Sequence, residues 1–131
     1  PYRNGYVICI ENTGAISFAE YLKSTELNFI TFLNIAISLC EIFHHIHLEG
    51  IIHKDIKPEN IIINKNTLEV QIIDFGIAND VGRDTQSTVN LNVLAGTLAY
   101  ISPEQTGRMN RSIDNRSDIY SLGITFYEML T

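Results

Sequence analysis

The sequence of 131 residues has no Trp, only two Cys, and fewer basic than acidic residues. Nine Lys and Arg against fifteen Asp and Glu give a formal net charge of −6, which argues against a surface for nucleic acid or anionic lipid. Cys9 and Cys40 stand far apart in apolar stretches, so they suit neither a disulfide framework nor a zinc site. We expect both to be core residues in a reducing compartment, and the protein to be cytoplasmic.

Long apolar runs are also missing, and we therefore expect no membrane span. The first residues, Pro1–Gly5, lack the basic region and apolar stretch of a signal peptide. The 45% content of hydrophobic residues is nevertheless typical of a chain with a packed core, and the length allows one domain or part of one. A strand at Tyr6–Ile10 begins almost at once and a helical pattern runs into the last residues, so we expect a piece of a larger protein.

Three segments have helical signals. Ser17–Leu22 begins with Ser and has Glu20 three residues on, a pattern typical of a capping box. Apolar residues recur at helical spacing through Leu27–His47, which predicts a long helix central to the core that ends at Gly50. Ser117–Leu130 predicts a third helix.

A β-hairpin is predicted in the middle of the chain. Ile61–Ile63 and Leu68–Ile73 are short apolar runs on either side of the polar turn Asn64–Thr67. The residues before it, Ile51–Asn60, are predicted to form a loop that contains Pro. Residues 77–97 are rich in Asn, Asp, Ser, Thr and Gly, which predicts a long loop of the kind that is usually functional.

Polar side chains capable of chemistry lie at both ends of this hairpin. Asp55 and Asn60 belong to the loop before it, and Asp74 follows its second strand. Because a hairpin returns its end beside its start, we expect Asn60 and Asp74 to lie side by side, with Asp55 nearby. Clustered oxygen ligands suit Mg²⁺ completed by substrate phosphates, and Lys57 adds a positive charge. This combination indicates a phosphoryl-transfer site.

Several motifs at this site resemble those of eukaryotic-type protein kinases. The octapeptide His53–Asn60, HKDIKPEN, resembles the catalytic-loop motif H-R-D-L-K-P-E-N of that family. Asp74-Phe75-Gly76 matches the D-F-G motif, and Ser102-Pro103-Glu104 resembles A-P-E. Further agreement, in the same order along the chain, is found at Gly96-Thr97 before a Tyr, and at Asp118 and Gly123 in the last helical pattern.

The resemblance implies an α+β protein-kinase-like fold, mostly the helical C-lobe with the hinge strand, truncated at both ends. Its parts would be the hinge strand and linker at 6–14, the long helix at 27–47, the catalytic loop at 53–60, the activation segment at 74–104 and the large helix at 117–131. Residues 102–127 also resemble the kinase-like module of large microbial sensor proteins, so other domains of the same polypeptide are expected partners.

The resemblance also implies roles in phosphate transfer from ATP. Asp55 would accept or orient the hydroxyl proton of a protein substrate, and Lys57 would neutralise the transferring phosphoryl group. Asn60 and Asp74 would hold Mg²⁺. Lys57 and Thr97 together resemble Ser/Thr-directed rather than Tyr-directed kinases.

For the nucleotide base, the resemblance implies an apolar and backbone-lined site. Ile10 would occupy the gatekeeper position, and Glu11 and Thr13 would belong to the hinge that meets the adenine edge. Ile62 would lie under the adenine ring as an apolar contact.

Two departures from the family pattern concern control. Lys54 replaces the usual Arg, which can hold a phosphorylated loop residue bidentately, whereas Lys cannot. Lys54 therefore argues against control by phosphorylation at Thr85, Ser87 or Thr88. The Gly-rich loop, the strand Lys and the αC Glu of the family are not in these residues, and Glu104 would pair with an Arg beyond Thr131.

Other polar residues have structural interpretations. We expect His53 to pack against Phe75 rather than act in acid–base chemistry. Asp118 would accept backbone N–H bonds from the catalytic loop. His44 and His47 share a helical face, which allows a metal site, but a cluster favoured by the helix dipole is the preferred interpretation.

Three functions from different classes fit these patterns. The first is an ATP- and Mg²⁺-dependent Ser/Thr protein kinase in signal transduction. The second is a kinase-fold regulatory module that binds nucleotide or a partner without turnover, and the third is a small-molecule phosphotransferase. The presence of Lys57, Thr97 and S-P-E disfavours the third. We expect the isolated 131 residues to be inactive and to expose apolar surface.

Overall fold

The computed structural model describes residues 14–75, 98–107, 109 and 111–131, and the backbone of residues 79–80. Several predictions lie outside the described residues: the strand Tyr6–Ile10 with Cys9, the gatekeeper Ile10, the hinge residues Glu11 and Thr13, Gly76, the loop hydroxyls Thr85, Ser87 and Thr88, and Gly96-Thr97.

The chain folds as a mixed α+β structure. Its helices are α1 (Phe18–Ser24), α2 (Phe29–Leu48) and α3 (Asn115–Leu130), with 3₁₀ helices at Pro58–Asn60 and Pro103–Thr106. Its strands are β1 (Ile16–Ser17), β2 (Ile51–Ile52), β3 (Ile61–Ile63), β4 (Val70–Ile72) and β5 (Asn79–Asp80). Within the described residues, these strands form two small antiparallel sheets, ordered β1-β3-β4 and β2-β5.

Helix α2 confirms the predicted long helix. It begins two residues later and ends one residue later than predicted. The side chain of Asn28 caps it by accepting a hydrogen bond from Thr31 N at 2.9 Å. It stops where Gly50 takes a left-handed conformation, φ +72°, which costs glycine little. Its core-facing side chains recur every three or four residues and are Phe32, Ile35, Ala36, Leu39 and Phe43.

The opposite side of α2 is exposed, and it corrects one prediction. Cys40 is exposed, not a core residue, because it faces an open groove of about 600 Å³ between α2 and α3. By length and composition alone, α2 also meets the requirements of a membrane-crossing helix. A core helix meets the same requirements, and here α2 packs Leu39 and Ile35 into the core.

The predicted hairpin is confirmed, with a shorter second strand. Ile61 pairs with Ile72 and Ile63 with Val70, so Ile61 and Ile63 point into the core while Ile62 lies on the other face. The turn is closed by Asn64, whose side-chain oxygen accepts from the backbone N–H groups two and three residues on.

Two strand pairings were not predicted. The segments Ile51–Ile52 and Asn79–Asp80, both predicted as loop, pair with each other.

Ser17 was predicted to begin a capping box with Glu20, but its side chain makes no cap hydrogen bond. Ser17 instead belongs to β1, which pairs with β3, and its hydroxyl lies 3.5 Å from the Pro58 carbonyl oxygen. The sheet therefore replaces the local cap.

The core lies between α1, α2, β3 and α3. Phe18 and Tyr21 of α1 stack with ring centroids 6.0 Å apart, and Phe32 of α2 meets Phe126 of α3 edge to face at 6.1 Å. From α3, Leu122 and Met129 join this cluster. The 3₁₀ helix of the predicted catalytic loop contacts α1, β1 and β3 beside this core.

Candidate active site

The loop that carries Asp55 is held between β2 and the 3₁₀ helix Pro58–Asn60. Proline at the first position of that helix suits its fixed φ, and Asn60 N closes the turn on Lys57 O at 3.0 Å. Ile56 is 2% exposed and pins the loop to the core. The polar residues on either side of Ile56, Asp55 and Lys57, consequently lie next to each other.

Three of the four residues predicted for phosphoryl transfer are in direct contact. Lys57 Nζ lies 2.8 Å from Asp55 Oδ2, and Asn60 Nδ2 donates to the same oxygen and to Asp55 O, both at 2.8 Å. The side chains of Asp55 and Lys57 are 16% and 15% exposed, so solvent reaches the pair only partly. Paired charges with this access can meet a substrate without being fully screened.

Asp74 reaches the same region through the backbone. Ile73 N donates to Asn60 O at 2.9 Å, so Asp74 follows directly after the residue that pairs with Asn60. Asp74 is exposed and has φ +62°, a left-handed conformation that is uncommon for a residue with Cβ. The fold-back of the hairpin thus brings the chain at Asp74 to Asn60, as its spacing predicts.

His53 is a buried packing residue, as expected. Its ring centroid is 4.7 Å from that of Phe75 and 6.4 Å from that of Phe43, and the residue is fully buried. Its Nδ1 accepts from Asp55 N at 3.3 Å, which leaves Nε2 to donate to Ile73 O at 3.1 Å. His53 therefore connects the loop before Asp55 to the segment before Asp74.

Asp118 lies beneath this loop and is 1% exposed. It accepts hydrogen bonds from His53 N at 2.9 Å and Lys54 N at 2.8 Å, which confirms its predicted structural role. The third contact is His47 Nε2, at 2.8 Å, so His47 at the end of α2 belongs to this network. Burial lowers the pKa of Lys54, and Asp118 partly offsets that effect.

The S-P-E segment is attached to α3. Glu104 accepts a hydrogen bond from Ser117 Oγ at 2.6 Å, which lowers the pKa of its carboxyl. Tyr100 donates its hydroxyl to Glu128, and its carbonyl accepts from Ser121 Oγ at 2.6 Å. Burial raises the pKa of Tyr100, and the hydrogen bond to Glu128 raises it further. This segment is therefore linked to α3 at several points.

Sequence reasoning missed Gln105, which connects this segment to the catalytic loop. Its Oε1 accepts from Ser102 N and Oγ, at 3.2 and 2.9 Å, and its Nε2 donates to Lys54 O at 2.8 Å. The signal was present, because Ser followed three residues later by Gln is a capping-box pattern, and Ser102 and Gln105 form that box.

Comparisons with known proteins agree with this geometry. The protein kinase domain family matches residues 3–131. The serine/threonine-protein kinase PknB of Mycolicibacterium smegmatis is 41% identical over 99 residues, which are 76% of this chain and 15% of that protein. A probable serine/threonine-protein kinase PknB of Corynebacterium glutamicum is 44% identical over 98 residues, 75% of this chain and 15% of that protein.

A third relative, the serine/threonine-protein kinase PknB of Mycobacterium tuberculosis, is 44% identical over 92 residues, 70% of this chain and 14% of that protein. The chain thus spans about 15% of the length of the first two relatives. The match of almost every residue to one family, together with the geometry of the HKDIKPEN loop, shows that this chain belongs to the protein kinase domain family.

Proposed function

We propose that this chain carries the catalytic loop of a Ser/Thr protein kinase that transfers the ATP γ-phosphate to protein hydroxyls in signal transduction. The observation that carries the proposal is the contact of Asp55 with both Lys57 and Asn60 at 2.8 Å. A loop serving only structure would not need a partly exposed carboxylate with an ammonium and an amide converging on it. The names of the relatives support the Ser/Thr class.

The proposed chemistry assigns one task to each side chain. Asp55 orients the substrate hydroxyl and accepts its proton as the oxygen attacks phosphorus. Lys57 stabilises the negative charge that develops on the transferring group. The buried network of His53 and Asp118 holds the loop in one geometry, so little reorganisation is needed during the reaction.

The donor set fits Mg²⁺. An amide oxygen and a carboxylate are hard oxygen ligands, and Asn60 uses its Nδ2 on Asp55, which leaves its Oδ1 as the atom for a cation. Asn60 and Asp74 would hold the metal. When bound with ATP, Mg²⁺ neutralises phosphate charge, and the two together supply the activated phosphoryl group.

Ile62, on the face of β3 away from the core, would contact the adenine ring, and Glu11 and Thr13 would line its edge. Residues 6–14 would be the hinge strand and linker, 27–47 the long helix, 53–60 the catalytic loop, 74–104 the activation segment and 117–131 the large helix. Use of ATP and the absence of a disulfide framework favour a cytoplasmic location.

A kinase-fold module that binds nucleotide without turnover is the second candidate. The observation that favours it is Lys54, which stands where the family usually has Arg. The contacts of Asp55 with Lys57 and Asn60 favour turnover instead, because a site that has lost catalysis has no need to keep them.

The test measures phosphate transfer from radiolabelled ATP by the natural full-length polypeptide that carries this sequence. Mixed protein substrates and a panel of sugars and aminoglycosides are offered separately, and the labelled amino acids are identified after hydrolysis. We expect phosphoserine and phosphothreonine that require Mg²⁺. Tight ATP binding without transfer would favour the regulatory module. Label found only on small molecules would favour a small-molecule phosphotransferase.

A further inference from the structure

The carboxamide of Gln105 satisfies hydrogen bonds on two different segments. Its oxygen accepts from Ser102 and its nitrogen donates to the Lys54 carbonyl, 51 residues away in sequence. Because a backbone N–H can only donate and a carbonyl can only accept, one orientation of the amide satisfies both sides. We call the contacts of Gln105 with Ser102 and Lys54 the Gln105 bridge.

Lys54 is the residue that needs such support. It has φ +69°, a left-handed conformation that is costly for a residue with Cβ and persists where its surroundings hold it. Its N–H donates to Asp118 Oδ1 at 2.8 Å, and its carbonyl accepts from Gln105. Both backbone polar groups of Lys54 are therefore bonded to side chains of other elements.

The peptide group between Lys54 and Asp55 is fixed at both of its polar atoms. Gln105 holds its oxygen at 2.8 Å, and His53 Nδ1 accepts from its N–H at 3.3 Å. These two contacts hold the backbone from which the side chain of Asp55 projects. Loss of the Gln105 contact would remove the hydrogen bond at the oxygen, and the backbone at Asp55 would be held less firmly.

We propose that Gln105 is a positioning residue for Asp55, which it holds in place through the Lys54 carbonyl. Its side-chain contacts are with Ser102 and Lys54, so it acts on the rate through Asp55. The inference deepens the proposed kinase function and rests on it. It also connects the S-P-E segment to the catalytic loop without using the side chain of Lys54.

Two substitutions separate positioning from capping. Gln105→Glu keeps oxygen acceptors for Ser102 but loses the donor to Lys54 O, whereas Gln105→Met loses both at similar size. In the natural full-length polypeptide near neutral pH, we expect both variants to lower kcat about 3- to 10-fold. This is the worth of the hydrogen bond to Lys54 O, which both variants lack. The KM for ATP should change less than about twofold, because Gln105 is not among the proposed nucleotide contacts.

The pH dependence provides a test that a merely structural role would not pass. A protonated carboxyl can donate to the Lys54 carbonyl, so the ratio of kcat for Gln105→Glu to kcat for wild type should rise as pH falls from about 7.5 to about 5.5, toward the range in which a Glu near a carbonyl protonates. The ratio for Gln105→Met should stay flat. An unchanged kcat at pH 7.5, or parallel losses of thermal stability and kcat with no recovery at low pH, would overturn the proposal.

A second measurement keeps the inference separate from the kinase assignment. Amide hydrogen exchange of the peptide spanning residues 53–60 should be faster in both variants at neutral pH and unaltered by Thr67→Ala in the hairpin turn. If wild type transfers no phosphate, the proposed function fails while faster exchange still supports the bridge. Unchanged exchange in both variants overturns it.

Discussion

Replacement of Asp118 by Ala is predicted to be among the most destabilising changes in the described part of the chain. The carboxylate is 1% exposed and accepts from the backbone N–H groups of His53 and Lys54. Alanine leaves both donors without an acceptor, and each orphaned buried donor costs about 1–3 kcal/mol. His47, 12% exposed on its side chain, can turn to water and adds less. We expect a loss of about 2–6 kcal/mol, the cost of two such orphaned donors.

The measurement is urea unfolding of the natural full-length polypeptide, in which the midpoint should fall while the m-value stays the same. Asp114→Ala is the matched control, because Asp114 is the N-cap of α3, the helix to which Asp118 belongs. Its side chain also accepts from a backbone N–H, that of Arg116 at 2.9 Å, but this hydrogen bond is exposed. A lost N-cap costs about 1 kcal/mol. Asp118→Asn retains the shape and one acceptor oxygen, so it should fall between the two. Equal losses for Asp118→Ala and Asp114→Ala would refute the reasoning.

Two further predictions concern the surface. Hydrogen bonds from Arg116 lower the pKa of Asp114 from 3.8 to about 2, so its contribution to stability is complete above pH 3.8 and is lost as pH falls toward 2. In an NMR titration, Arg116→Gln should return the midpoint toward 3.8, and an unmoved midpoint would count against this pairing. The isolated 131 residues should transfer no phosphate and should aggregate through exposed Phe29, Ile30 and Leu48; an active monomer would contradict this.

Local patterns predicted most of the elements that hold the site. Helix α2 was predictable because its buried side chains repeat every three or four residues, and the hairpin because two isoleucine-rich runs flank a polar turn. The approach of Asp74 to Asn60 followed from that hairpin alone. The packing of His53 on Phe75 and the hydrogen bonds to Asp118 came from the family resemblance, and the structure confirms both.

The remainder depends on contacts between distant residues. Strands β2 and β5 are two residues each, too short for a period, and their pairing is decided by the fold. Ser17 has a local capping signal, but the pairing of β1 with β3 overrides it. Cys40 belongs to an apolar run yet faces the groove between α2 and α3, which the run does not reveal. The contact of Gln105 with Lys54 spans 51 residues.

The role of Asp55 is the central claim, and phosphate transfer by Asp55→Ala in the natural full-length polypeptide tests it most directly. We predict that kcat for a Ser/Thr peptide falls about 10²- to 10⁴-fold, the usual contribution of a positioned general base. Binding of ATP should be retained, since Asn60 and Asp74 would hold the nucleotide-bound metal. Turnover equal to that of wild type would contradict the account.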